Sequence, residues 1–126
     1  DMMVALQAAF GEVVDAARIT RSRQISGLIS LIEKHILIPK LPMILMGDFN
    51  ATAEEYTLRE MLERDHGIIQ LKPQEDIATH PKAGTVDHIY FYPASRLENY
   101  TCFVVNTPLA REISDHLPIV ADITFQ

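Results

Sequence analysis

The sequence predicts an α/β chain, more closely α+β, and three observations carry that prediction. Apolar residues recur at helical spacing in the first third of the chain, a short run ending at Met46 is apolar on both faces, and three later segments are rich in β-branched and aromatic residues. A strand that is apolar on both sides needs helices or a second sheet over each face, so the implied architecture is layered.

Leu6, Phe10, Val13 and Ala17 form the stripe of an amphipathic helix over residues 2–17, weakened at Gly11 by about 1 kcal/mol relative to Ala. After the polar patch Thr20-Arg21-Ser22-Arg23, the residues Ile25, Leu28, Ile29, Ile32 and Ile36 follow the i, i+3, i+4, i+7 rule of a second helix, which Pro39 stops. Met43-Ile44-Leu45-Met46, set between Pro42 and Gly47, reads as a central strand buried from both sides. Thr52 and Glu55 match a capping box, in which hydroxyl and carboxylate satisfy two orphan amide donors, and it opens a helix carrying Tyr56, Leu58, Met61 and Leu62. Residues 66–84 contain Pro73 and Pro81 with little periodicity and read mostly as loop. Strands are expected at 86–92, 100–106 and 117–125, with the turn cluster Pro93-Ala94-Ser95 after the first.

Composition narrows the function classes. With 126 residues, 48% apolar and 22% charged, the chain matches one ordinary globular domain and not a disordered or collagenous one. Eleven Lys+Arg against 17 Asp+Glu give a net charge of −6, so no global cationic field would hold nucleic acid or anionic lipid, and an anionic substrate needs local help. The lone Cys102 cannot form an internal disulfide, which leans toward a reducing compartment such as the cytoplasm. No stretch approaches the roughly 18 apolar residues of a membrane helix, and Asp1-Met2-Met3 lacks the basic flank of a secretory signal, so a soluble chain is expected. A start on Asp suits a processed product or a piece of something longer.

Polar residues at the ends of apolar strands are the informative ones, because burying a carboxylate without a partner costs several kcal/mol. Gly47-Asp48-Phe49-Asn50 directly follows the first strand, and in extended backbone Asp48 and Asn50 point to the same side. A carboxylate beside an amide can orient a water, the carboxylate taking its proton. The same four residues also suit a plain turn, since Asp and Asn are turn formers. Asp87, in Thr85-Val86-Asp87-His88-Ile89-Tyr90, shares a strand face with Ile89 and Phe91, where it needs a cation or donor unless the strand is an exposed edge. Asp115 and His116 enter the last strand and, as neighbours in extended chain, point apart. A division of labour follows: a buried Asp87 fixes the tautomer and orientation of His116, while Asp115 and Asp48 face cation or water. Asp65-His66 is a further Asp-His pair, at a helix end without a strand, and takes no role.

Together and in this order, M-G-D-F-N at 46–50, T-V-D-H-I-Y at 85–90 and I-S-D-H-L-P-I-V at 113–120 resemble the C-terminal half of the endonuclease/exonuclease/phosphatase (DNase I-like) superfamily. Its members include DNase I-like and abasic-site endonucleases, neutral sphingomyelinases, inositol-polyphosphate phosphatases and deadenylase-like phosphodiesterases. Arg21-x-x-Gln24 and Thr79-x-Pro81 are similar to that family's pattern as well. The resemblance implies part of a four-layer αββα sandwich with mixed or antiparallel sheets, and hydrolysis of a phosphate ester dependent on Mg²⁺ or Mn²⁺. It implies that Asp48 activates the attacking water or protonates the leaving oxygen and that Asn50 orients the phosphate or that water. Asp87 would support His116, His116 would contact the scissile phosphate, and Asp115, with Asp48, would sit by the metal.

The family's N-terminal half supplies a metal-binding Glu, an upstream Asn and a phosphate-contacting strand, for which this sequence has no counterpart. His88 stands where many members carry Tyr. Residues 1–126 therefore read as a single-domain fragment, the C-terminal half of the family's domain, inactive alone and active as the complete phosphoesterase. Its expected partners are the missing N-terminal half, or a second copy through an exposed sheet, and a phosphate-ester substrate. Nucleic acid, phospholipid head group and phosphorylated small molecule all stay open as substrates, with duplex DNA slightly disfavoured by the charge balance. A non-catalytic scaffold that keeps the half-sandwich is the alternative, and it predicts decay of site residues that are in fact all present.

Overall fold

The computed structural model describes residues 11–64 and 66–126. Of the stripe expected over residues 2–17, the part that includes Leu6 and Phe10 lies outside them, as does Asp65. The leading helix α1, Gly11–Ile32, runs without a break through the patch Thr20–Arg23, so a single helix stands where two were expected. The patch contains no Gly or Pro to break it, and Arg21 is held inside the helix by an ion pair of 2.9 Å to Glu55. Ile25, Leu28 and Ile32 are buried. A wider π turn over Glu33–Leu37 ends the helix ahead of Pro39, with the Ile38 N–H donating to the Glu33 carbonyl.

Strand β1, Met43–Asp48, follows, then a π-wound helix at Thr57–Arg64 that buries Leu58 and Leu62. The Thr52–Glu55 capping box does not form. Glu55 spends its carboxylate on Arg21 and on the Thr57 hydroxyl, and only its N–H returns to the Thr52 carbonyl. A guanidinium is a stronger partner for a half-buried carboxylate than a backbone amide, so the tertiary pair replaces the local one. Two-residue β2, Ile69–Gln70, emerges from the segment expected as loop.

Strand β3, Asp87–Tyr92, lies between β1 and β2, antiparallel to both. A short turn at Ala94–Arg96 leads into β4, Leu97–Val104, which begins earlier than expected. Helix α2, Pro108–Ile113, is an addition, and its signal was legible: the Thr107 hydroxyl accepts from the Ala110 N–H as an N-cap and Pro108 takes the first turn. Strand β5, Ile119–Phe125, pairs antiparallel with β4 as a second sheet.

The result is an α+β arrangement of two antiparallel sheets, in keeping with a DNase I-like fold. On one face of the first sheet, Phe49 and Tyr90 pack with α1 and the Thr57–Arg64 helix. On the other, Ile89 and Phe91 meet Cys102 and the inner face of the second sheet. β1 departs from expectation here: among the described residues it is an edge strand, and Ile44 and Met46, on the inter-sheet face, are 49% and 60% exposed because the second sheet packs mainly on β3. No helix among the described residues is long and apolar enough to cross a membrane.

Candidate active site

The antiparallel register sets Asp48 directly opposite Asp87, so the end of β1 and the start of β3 bring two carboxylates to one edge. Beyond Asp48 the chain turns at once. Asn50 has φ 52°, a left-handed conformation that Asn tolerates, and its N–H donates to Asp48 Oδ1 at 2.8 Å. Asp48 and Asn50 are thus joined in a tight turn and do not project in parallel from an extended strand. Phe49, buried in the core and bonded through its N–H to the Val86 carbonyl, anchors that turn on β3.

Thr79 does the same for Asp87. Its buried hydroxyl accepts from the N–H groups of Val86 and Asp87 at 3.1 and 3.3 Å, and its carbonyl accepts the Leu117 N–H at 2.8 Å. This ties the start of β3 to the segment before β5 and carries His116 over the edge. His116 Nδ1 lies 2.9 Å from Asp87 Oδ2, and Nε2 faces Asp48 Oδ2 at 3.8 Å. A carboxylate can only accept, so Nδ1 carries a proton and Nε2 is turned toward Asp48. The Asp87 hydrogen bond raises the His116 pKa, against a smaller opposing effect of burial. Asp87 was expected to be buried and is half-buried, with 15% of its side chain exposed.

Asp115 and His116 do point apart. Asp115 turns to His80, whose Nε2 is 3.2 Å from Oδ2, and 71% of its side chain is exposed. Among the described residues, potential metal-ligating atoms consequently fall into two groups that share His116: Asp48 with Asp87, and His80 with Asp115. The expected metal pair, Asp48 and Asp115, is divided between these groups. Asp48 and Asp87 together offer carboxylate oxygens of the kind a hard divalent cation prefers, and among the described residues Asp48 Oδ2 has no closer partner than His116, so the donor set fits such an ion. An open cleft of about 320 Å³ reaches Asp48, Asp87 and His116 between Met46 and Pro118.

His88 faces away from this edge. Its Nε2 donates to the Ala51 carbonyl at 2.7 Å, and burial pushes its pKa down. It therefore supports the loop after Asn50 from beneath. His80 was missed in the sequence, although it is the middle residue of Thr79-x-Pro81, the one clue that could have singled it out.

Comparison with protein families matches residues 5–116 to the Endonuclease/Exonuclease/phosphatase family. That span contains Asp48, Asn50, Asp87, Asp115 and His116. Comparisons with curated proteins and with solved structures gave no match.

Proposed function

Because the chain belongs to the Endonuclease/Exonuclease/phosphatase family, we propose that it provides acid-base and charge-stabilising groups for divalent-metal-dependent hydrolysis of a phosphate ester. The observation that supports this reading most directly is the line Asp87–His116–Asp48, in which one imidazole bridges two carboxylates at the rim of an open cleft.

The reaction is in-line displacement: the water oxygen bonds to phosphorus, the ester P–O bond breaks, and the leaving oxygen acquires a proton. Asp48 takes the proton of the attacking water or protonates the leaving oxygen, and Asn50 orients the phosphate or that water. Asp87 holds His116 by Nδ1–H, so Nε2 is presented to the phosphate, and the raised pKa favours the cationic ring that stabilises developing negative charge. Asp48, which shares a ligand group with Asp87, would be one carboxylate ligand of Mg²⁺ or Mn²⁺ and Asp115, in the group across His116, a second; such an ion would supply charge neutralisation to the phosphate.

The chain corresponds in this reading to the C-terminal half of the family's domain. No Glu belongs to either ligand group among the described residues, so the metal-binding Glu is assigned to an upstream half. The exposed Ile44 and Met46 are the surface that such a half, or a second copy of this chain, would cover.

The test is hydrolysis of a chromogenic phosphodiester with Mg²⁺ or Mn²⁺, and with chelator, by this chain and by an upstream-extended product. The extended form is expected to be active, and both chelation and His116→Ala are expected to abolish its activity. An extended form that binds no metal and leaves nucleic acid, phospholipid and small phosphate esters intact would overturn the reading.

A further inference from the structure

We propose that His80 is a positioning residue of this site, holding Asp115 by hydrogen bond and His116 by ring contact from a tautomer that its own loop imposes. The inference rests on the functional reading above for its catalytic consequence, though not for its geometry.

Two backbone N–H groups, of Lys82 and Ala83, point at His80 Nδ1 from 3.1 and 3.0 Å. Both can only donate, so Nδ1 must offer its lone pair and the proton of the neutral ring sits on Nε2. Nε2 lies 3.2 Å from Asp115 Oδ2, and among the described residues no other hydrogen-bond donor reaches that carboxylate. His80 is therefore a donor to Asp115. It is not a metal ligand, because ligation through Nε2 would move the proton to Nδ1, against the two amides. The three-residue group that includes His80 consequently supplies Asp115 and His116 as functional atoms, with His80 as their support.

The loop is built to hold that ring still. His80 and Gly84 exchange both backbone hydrogen bonds, at 3.0 and 3.1 Å, and Gly84 closes the turn at φ +84°, a region that favours glycine. The Thr79 carbonyl is bonded to the Leu117 N–H, so the loop is tied to the segment that carries Asp115 and His116. The His80 ring meets the His116 ring at 5.0 Å between centroids. Asp115, otherwise exposed, is left with one oxygen held by His80 and, among the described residues, one open to solvent.

Two substitutions divide this role from simple support of the loop. His80→Asn retains an acceptor near the Nδ1 position and removes the donor to Asp115, whereas His80→Gln extends an amide donor to the Nε2 position. Long-range ¹H–¹⁵N spectra of the ¹⁵N-histidine-labelled chain should show His80 protonated on Nε2 and His116 on Nδ1. In His80→Asn the His116 ring signals should shift, and Mn²⁺ affinity, read from the electron paramagnetic resonance of free Mn²⁺, should fall about 10- to 100-fold. Hydrolysis by the upstream-extended product should fall with it, and His80→Gln should recover most of each loss. The proposal is overturned by a His80 ring protonated on Nδ1, or by a His80→Asn variant with unshifted His116 signals and His80→Gln alone impaired. If the parent chain neither binds Mn²⁺ nor hydrolyses any ester, the functional reading fails. The ring spectra of the two variants then still decide the role of His80.

Discussion

His116 Nδ1 stands 2.9 Å from Asp87 Oδ2 while Nε2 looks toward Asp48 Oδ2 at 3.8 Å, so a single ring couples the first residue of β3 to the last residue of β1. The tight bond orients the ring. The longer approach is beyond hydrogen-bond distance, so Nε2 is not committed to Asp48 and stays available at the cleft.

Replacing Asp87 by Asn keeps the volume and removes the charge. His116 would keep at most a neutral acceptor in place of the carboxylate that fixes Nδ1–H, its pKa would fall back toward its ordinary value, and hydrolysis by the upstream-extended product would drop by about 100-fold or more. An NMR titration of His116 alongside the rate measurement checks both parts. An unchanged His116 titration in Asp87→Asn would contradict the pairing.

The two histidines of the β3 edge give stability opposite pH dependences. His116 has a raised pKa, so its contribution is fully present below about pH 6.5 and is lost as pH rises through the folded-state value. His88 has a lowered pKa, so its contribution is present above about pH 6.5 and is lost as pH falls toward the folded-state value. Thermal unfolding between pH 5 and pH 8.5, on the order of one unit either side of the ordinary histidine range, should show His116→Gln flattening the alkaline decline. His88→Gln should flatten the acidic one.

Tyr90 is fully buried and its hydroxyl has no hydrogen-bond partner among the described residues. Burial drives its pKa well above the ordinary tyrosine value. Tyr90→Phe removes a desolvated polar group while keeping the edge-on contact with Phe49, so the variant should be as stable as the parent or more stable by about 1 kcal/mol. Leu62→Ala, in the same core, should cost about 2–5 kcal/mol. Urea unfolding measures both, and a loss of stability in Tyr90→Phe would reveal a partner for the hydroxyl.

Arg21 and Glu55 are 12% and 19% exposed at their side chains and join α1 to the turn ahead of the Thr57–Arg64 helix. A double-mutant cycle with Arg21→Ala and Glu55→Ala should give a coupling energy of about 1–3 kcal/mol, larger than that of a surface pair. A coupling near zero would mean that the helix is held by its apolar face alone.

Local pattern made much of this protein legible. The spacing of Ile25, Leu28 and Ile32, the β-branched and aromatic strands, and the placement of Asp87 on the face of Ile89 and Phe91 all follow from periodicity, which burial enforces residue by residue. The separate directions of Asp115 and His116 follow from the same alternation. Tertiary contacts decided the rest. Glu55 left its capping box for Arg21, α1 ran through a polar patch, and Ile44 and Met46 stayed exposed because, among the described residues, the second sheet packs mainly on β3. His80 took a place beside Asp115 from 35 residues away. A chain's periodicity encodes which side of an element is apolar, but which groups of opposite charge meet depends on the packing of distant segments, and the candidate site is made of such meetings.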